Sequence, residues 1–471
     1  MSPIFKILFN SKKVVFYLIV IQLFTLFNIK PWKNAETKDA LINNDVISYY
    51  SYLPAIFIHK DLTLSFTETD TIDYWGERKF WPQTAPNGGK VIKTTMGMSF
   101  LYSPFFFLSH LYANFSKTHE ANGFSKPYEF GLALSCLVYL LIGFFFLRKA
   151  LLKCFSDGIT SFVLLSLFLG TNLFYYTTTE PCMSHAYTFS LTAILIHYIP
   201  IWLNNFTIKG AVFFGLISGL LVLIRPTNLI VICMILMYGI QTKADIKNRF
   251  SWVLNNKKLL VVSILLGLMV LLPQLCYWKY ITGDLVFNSY VGEHFYFNKP
   301  KIIEFLFSYR KGWLLYTPIM CFFILGIYKL FKTKSPWALF SLFSFVATVF
   351  VFSSWWCWWY GGSFGMRCMI DYYPVFAFGL AANFTTTNTI KKQALGSLVA
   401  LFLVFNLFQT SQRRNLVIHW DSMSKESYWR FFTTLKMRTA DNWEKQSNLL
   451  SAPDYEKAIK GEKEYDFSVF N

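Results

Sequence analysis

Charge is scarce in this chain, and acid is scarcer than base. Asp, Glu, Lys and Arg make up 15% of the 471 residues, against roughly 25% in an ordinary soluble domain, which argues against a single soluble globule. There is no CxxC pair, and neither GxxxxGK(S/T) nor GxGxxG occurs. ATP or nucleotide-sugar chemistry therefore has no visible home. The eight cysteines, at 136, 154, 182, 233, 276, 321, 357 and 368, fall mostly inside apolar runs. They read as small hydrophobes and not as a disulfide frame or a zinc site; only Cys182, Cys357 and Cys368, at segment ends, leave pairing open. Seven histidines stand without ligand spacing.

What the chain has is apolar sequence: 54% hydrophobic and 20% aromatic residues. A membrane crossing needs about 20 apolar residues. Eleven runs qualify: 14–29, 128–147, 159–176, 185–203, 210–224, 227–241, 259–278, 313–331, 336–354, 369–384 and 393–410. The first follows Lys12 and Lys13 and lacks a small-residue cleavage pattern, so it reads as a retained signal anchor. The run 96–114 carries Ser99, Ser103, Pro104, Ser109 and His110 and reads as a helix lying on the outer surface. With the N-terminus inside, 17 Lys and Arg and only two acids, Asp157 and Asp245, fall in the cytoplasmic segments. Most of the +18 formal charge is then a topology signal, and nucleic acid is not an expected partner.

The expected architecture is an all-α polytopic membrane domain over 1–410. Its long first extracytoplasmic loop, 30–127, bears surface helices; a second outer loop covers 279–312 and an extracytoplasmic tail 411–471. In the tail, Trp420, Tyr428, Trp429, Phe431 and Phe432 suit an interfacial helix, and the Lys/Glu-rich end from Lys457 to Asp466 reads as a solvated face. Long outer loops are where function concentrates. Residues 43–56 alternate at helical spacing, with Asn43 or Asn44 as the expected cap. Asp45 opens that helix and reads either as a base for an attacking hydroxyl or as a complement to the helix dipole. Lys93 is a point charge suited to phosphate, or a snorkelling lysine. Arg225, alone among some thirty apolar residues, reads as a phosphate or carboxylate contact or as half of an ion pair. Glu180 and His185 share a short outer loop. The block 355–367 sets Trp359, Tyr360 and Arg367 among glycines, as in an aromatic belt or a sugar- and phosphate-binding wall. Asp371 stands four residues beyond Arg367, at helical pairing distance, and Tyr309–Gly312 are candidates for the far wall.

Asp45–Leu62, Gly89–Gly97 leading into Tyr102–Phe105, and Ile224–Thr227, in that order along the chain, resemble the GT-C superfamily of integral-membrane glycosyltransferases. The nearest in pattern are the protein O-mannosyltransferases and the lipid A aminoarabinose transferases. The resemblance covers roughly the first half. It implies a polyprenyl-phosphate sugar donor, inverting transfer with Asp45 as base, Lys93, Arg225 and Arg367 on the donor phosphate, and Tyr49, Tyr50, Glu180, His185, Trp359 and Tyr360 toward acceptor and sugar. Asn44 precedes Asp45 and neither Val46 nor Ile47 is acidic, so the metal-chelating DxD is missing and no cofactor is expected. Glu68, Asp70, Asp73 and Glu77 leave a divalent metal open. The acceptor class, whether lipid, glycan or protein, stays open. Composition rich in Lys, Phe and Asn points to a bacterium with an AT-rich genome, and the expected location is its cytoplasmic (inner) membrane, with the active site extracytoplasmic. The rival readings are a flippase of lipid-linked glycan, which lacks the expected internal repeat, and a non-catalytic envelope assembly protein.

Overall fold

Residues 10–35, 39–67, 78–385 and 388–464 are described by a computed structural model, and among them the chain is helical apart from one two-stranded hairpin. The helices that position the site are, in chain order, α1 (Ser11–Ile29), α2 (Asp45–Tyr50), α3 (Gly97–Phe115), α4 (Lys126–Leu151), α5 (Leu173–Thr178), α6 (His185–Asn204), α7 (Ile208–Ile224), α8 (Lys257–Thr282), α9 (Tyr373–Asn383) and α10 (Thr389–Arg414). Five of them, α1 with the turn after it, α4, α6, α8 and α10, are long and apolar enough to cross a membrane. Shorter apolar helices lie at Asp157–Leu169, α7, Pro226–Met237 and Ala338–Ser353.

Local chemistry accounts for the boundaries. Asn10, Thr207 and Asn388 cap α1, α7 and α10 by accepting from the third backbone N–H of each, which satisfies one orphan donor per helix. Arg148–Lys149 and Arg413–Arg414 close α4 and α10 at the negative end of the dipole. α6 is mostly buried, whereas α8 leaves Val261, Ile264, Leu265, Leu268, Met269 and Leu272 exposed. The interior of the bundle is thus built around α6, and α8 belongs to its apolar periphery.

Four of the expected spans are broken, the first of them, 159–176, at Gly170–Asn172 between Asp157–Leu169 and α5. The run 227–241 divides into Pro226–Asn228, Leu229–Met234 and Ile235–Met237. The run 313–331 splits at Pro318 before Cys321–Lys332, and 369–384 starts as a 3-10 turn, Arg367–Tyr372, before α9. Summed hydropathy does not register such breaks; at 313–331 the break falls at Pro318, which lacks an N–H and clashes with the preceding turn. α3 forms where the surface helix was expected, and despite its 19 residues it is not among the five.

The first loop is stitched to α4, α7 and α8. A hairpin pairs β1 (Gln83–Thr84) antiparallel with β2 (Lys90–Val91), Gln83 opposite Val91 and Thr84 opposite Lys90, and turns at Gly88 with φ of 85°. Beyond it, the Ile92 N–H donates to the Tyr277 hydroxyl at 2.9 Å and the Met96 N–H to Gln274 Oε1 at 2.8 Å. At Gly97 a Cβ would stand 2.4 Å from Ile224 N and 2.5 Å from Leu223 C, so α3 begins directly against the end of α7. Glu129 of α4, fully buried, pairs with Arg78 at 3.1 Å and accepts from the Leu41 and Ile42 N–H groups. That clip fixes the chain just ahead of α2.

The tail folds back onto the bundle through short helices, Lys425–Arg430, Ala440–Leu449 and Tyr455–Ile459. Its Lys/Glu-rich end is not simply a solvated face. Glu464 is buried, accepting from Trp358 Nε1 at 2.6 Å and pairing with Lys301 at 3.4 Å. All eight cysteines are free.

Candidate functional site

Five polar segments converge: the start of α2, the Lys93 turn, the break after α7, the short loop Thr179–Ser184, and the stretch from Gly361 to Asp371. Asp45 begins α2, but neither Asn43 nor Asn44 caps it as expected. Asn44 occupies the cap position with φ of 52° and makes no side-chain cap. The Asn43 side chain instead accepts from the backbone N–H groups of Asn44 and Lys79 at 2.8 and 2.6 Å. This left-handed turn, which Asn tolerates better than most residues, leaves the Asp45 carboxylate about 40% exposed.

Arg367 Nη2 lies 2.9 Å from Asp45 Oδ2. The expected helical pair Arg367–Asp371 does not form, because residues 367–372 wind as a 3-10 turn, in which i and i+3 align and i+4 does not. Asp371, 2% exposed, instead takes His185 Nδ1 at 2.9 Å and Arg225 Nη1 at 3.6 Å. A carboxylate only accepts, so His185 carries its proton on Nδ1; its Nε2 is buried without a partner. Arg225 also donates to the Tyr49 hydroxyl at 3.2 Å. Burial pushes the Asp45 carboxyl up, but the charges of Arg367 and Arg225, the Arg367 hydrogen bond and the Lys93 ammonium outweigh it and hold the group below its ordinary value. Three cations from distant parts of the chain thus act on one carboxylate.

Lys93 is bound to Glu293 and stands 5.1 Å over the Tyr290 ring. Trp356 Nε1 steadies the same glutamate at 2.9 Å. Glu180 accepts from the Tyr175 hydroxyl at 2.7 Å and faces Arg413 Nη2 at 3.8 Å.

Other expected residues lie elsewhere. Tyr50 is core, its ring against Tyr102, Phe106 and Phe124 and its hydroxyl on the Gly123 carbonyl. Trp359 is buried and donates to Asp421 of the tail at 3.0 Å, so its face is not free for a sugar. Tyr360, with φ of 58°, is half-buried beside Phe352. Arg310 and Lys311 do not line the cluster as a far wall: both are buried, and they donate to carbonyls of the tail and of Ser363. Burial pushes the Lys311 ammonium well below its usual range.

The expected list lacks Glu293 and Arg413 and misplaces Asp371. Arg413 sits where a basic residue commonly flanks a span, and Glu293 has no periodic signal around it. No group of three or more His, Cys, Asp or Glu side chains among the described residues converges as metal ligands would; Glu68, Asp70, Asp73 and Glu77 lie outside the described residues. No family model, curated protein or solved structure matches the chain.

Proposed function

We propose that this protein is an integral-membrane glycosyltransferase of GT-C type that moves a sugar from a polyprenyl phosphate to an acceptor hydroxyl. The reading includes eleven crossings, an N-terminus in the cytoplasm and chemistry at the outer face of the cytoplasmic membrane. The observation that carries it is the partly exposed Asp45 carboxylate held among Arg367, Arg225 and Lys93. A general base beside cations matches a reaction in which a hydroxyl loses a proton while a phosphate gains charge.

In that reaction the acceptor oxygen attacks the anomeric carbon and its proton passes to Asp45. The bond from the anomeric carbon to the phosphate oxygen breaks, its electron pair leaves with the polyprenyl phosphate, and the anomeric configuration inverts. Arg367, which pairs with Asp45, is drawn to the arriving phosphate. Its departure frees the base and raises Asp45's proton affinity when it is needed. Arg225 is anchored by Asp371 and keeps its orientation throughout.

The test is transfer from a radiolabelled polyprenyl-phosphate sugar in membranes holding the full chain. Asp45→Asn should lower turnover by about 100-fold or more, the typical contribution of a general base, while leaving donor binding intact. Wild-type rates in that variant would remove Asp45 from the chemistry. Deletion of the protein should also lead to accumulation of one lipid-linked sugar, visible by mass spectrometry.

A further inference from the structure

Beside the Asp45 cluster lies a second ion pair with different geometry. Glu180 and Arg413 approach only to 3.8 Å, too far for a hydrogen bond, so each keeps capacity for a further partner. Arg413 is 8% exposed, and its Nε is buried with no partner. Thr179 Oγ1, next to Glu180, is likewise buried and unpartnered. Buried polar atoms left open in this way mark places where a ligand or water completes the bonding.

The pair is rigidly built and close to the first site. Tyr175 holds Glu180 through its hydroxyl and lies under the Arg413 guanidinium at 5.6 Å. Its ring packs on Phe364 at 5.2 Å, and the Phe364 N–H donates to the Tyr176 hydroxyl at 2.8 Å. Phe364 is three residues from Arg367, so one short stretch of chain touches both ion pairs. Tyr176 lies in the fields of Glu180, Arg367 and Arg413 together. At the same end of α10, Gln409 and Gln412 hold the tail helix Lys425–Arg430 and the turn after it, and that helix presents Trp429, whose indole is 54% exposed and donates to the Tyr309 hydroxyl.

We propose that Glu180 and Arg413, with Thr179, form a saccharide-binding subsite that takes neighbouring hydroxyls of a neutral glycan. The pair sets a charged donor beside a charged acceptor: a phosphate drawn to Arg413 meets the Glu180 carboxylate, and an ammonium drawn to Glu180 meets the guanidinium. A sugar hydroxyl satisfies both at once, accepting from the guanidinium and donating to the carboxylate. The aromatic edge at Trp429 suits the apolar face of a pyranose ring. As an acceptor site this rests on the transfer reading above, and it names the acceptor as a glycan in place of a protein or lipid A hydroxyl. As a saccharide site it stands independently.

The experiment uses the full chain in lipid nanodiscs, with maltotriose, mannotriose and chitotriose as probes in saturation-transfer NMR and inorganic phosphate as an anionic probe. At least one trisaccharide should bind at millimolar concentration. Glu180→Gln and Arg413→Met should each weaken it about tenfold or more, as expected for losing a hydrogen bond to a charged group. Arg413→Lys should retain part of the affinity. Thermal unfolding of each variant separates lost binding from lost fold. The proposal is overturned if no trisaccharide binds the wild type, if binding survives both Glu180→Gln and Arg413→Met, or if phosphate binds and depends on Arg413 while the trisaccharides do not. A wild-type chain that binds saccharide through Glu180 and Arg413 yet transfers nothing from any polyprenyl-phosphate sugar would sink the transferase reading alone.

Discussion

An ion-paired carboxylate is a weak base, and Asp45 is ion-paired. Two opposed effects act on it: burial, the larger single influence, raises its proton affinity, and the cations together lower it further than burial raises it. The sign of a pH dependence follows. With Arg367 in place Asp45 is deprotonated throughout the neutral range, and the acid limb of a transfer–pH profile falls at low pH. Arg367→Met removes the first of the opposing cations, so the carboxyl pKa of the free enzyme rises and the acid limb of the residual kcat/KM, which reports the enzyme before the donor arrives, should move to higher pH, while Arg367→Lys should leave it nearly in place. A limb that stays put in Arg367→Met would mean that Asp45 is not the titrating base. The residue scale is also where sequence reading goes furthest and then stops. Asp45, Lys93, Arg225 and Arg367 were legible as rare charges beside apolar runs, but their partners were not. Asp371 pairs with Arg225 and His185 because a 3-10 turn rotates it away from Arg367, and that rotation leaves no trace in residue spacing.

Among the elements, the close approach of α3 to α7 decides where Arg225 points. Gly97 admits the backbone of Leu223 and Ile224 where a methyl group would overlap main-chain atoms, and main chain cannot move aside as a side-chain tip does. Gly97→Ala should therefore destabilise by about 1–3 kcal/mol and reduce transfer by shifting Arg225. Gly396 of α10, which has open space around its Cβ position, provides the contrast. Gly396→Ala should leave transfer unchanged and, by removing a helix-interior glycine, slightly raise stability. Thermal unfolding in detergent and the transfer assay check both. If Gly97→Ala melts and turns over like the parent, the contact does not position the site. The elements themselves were legible where period and length agree, as for α4, α6, α8 and α10. They were not legible at 159–176, 227–241, 313–331 and 369–384, where helices are interrupted inside otherwise apolar sequence.

At the scale of the whole molecule, the asymmetry of Lys and Arg makes a prediction that hydropathy cannot. The proposed eleven crossings would place the segment 242–258 and the tail on opposite sides of the membrane. Green fluorescent protein inserted near residue 250 should fluoresce and alkaline phosphatase there should be inactive; after the final residue the pattern should reverse. The same result at both positions would require an even number of crossings between them and would overturn the topology. Five helices among the described residues are long and apolar enough to span unaided; in the proposed topology the other crossings are assembled from the shorter apolar helices and broken segments. In lipid those breaks are tolerated only where neighbouring protein or water satisfies the freed backbone groups.

The amino-acid sequence by itself determined that the chain is helical and apolar enough to suit a membrane, because hydropathy adds up along the chain without reference to distant contacts. It also marked the charges that are out of place. Which charges meet was decided only by the tertiary structure. Asp45 and Arg367 are more than three hundred positions apart, and Lys93–Glu293 and Glu180–Arg413 join residues two hundred or more positions apart. Such pairs depend on how 3-10 turns, glycine contacts and a folded-back tail rotate and seat each segment, and electrostatic attraction between two side chains acts only once that packing has brought them within a few ångströms.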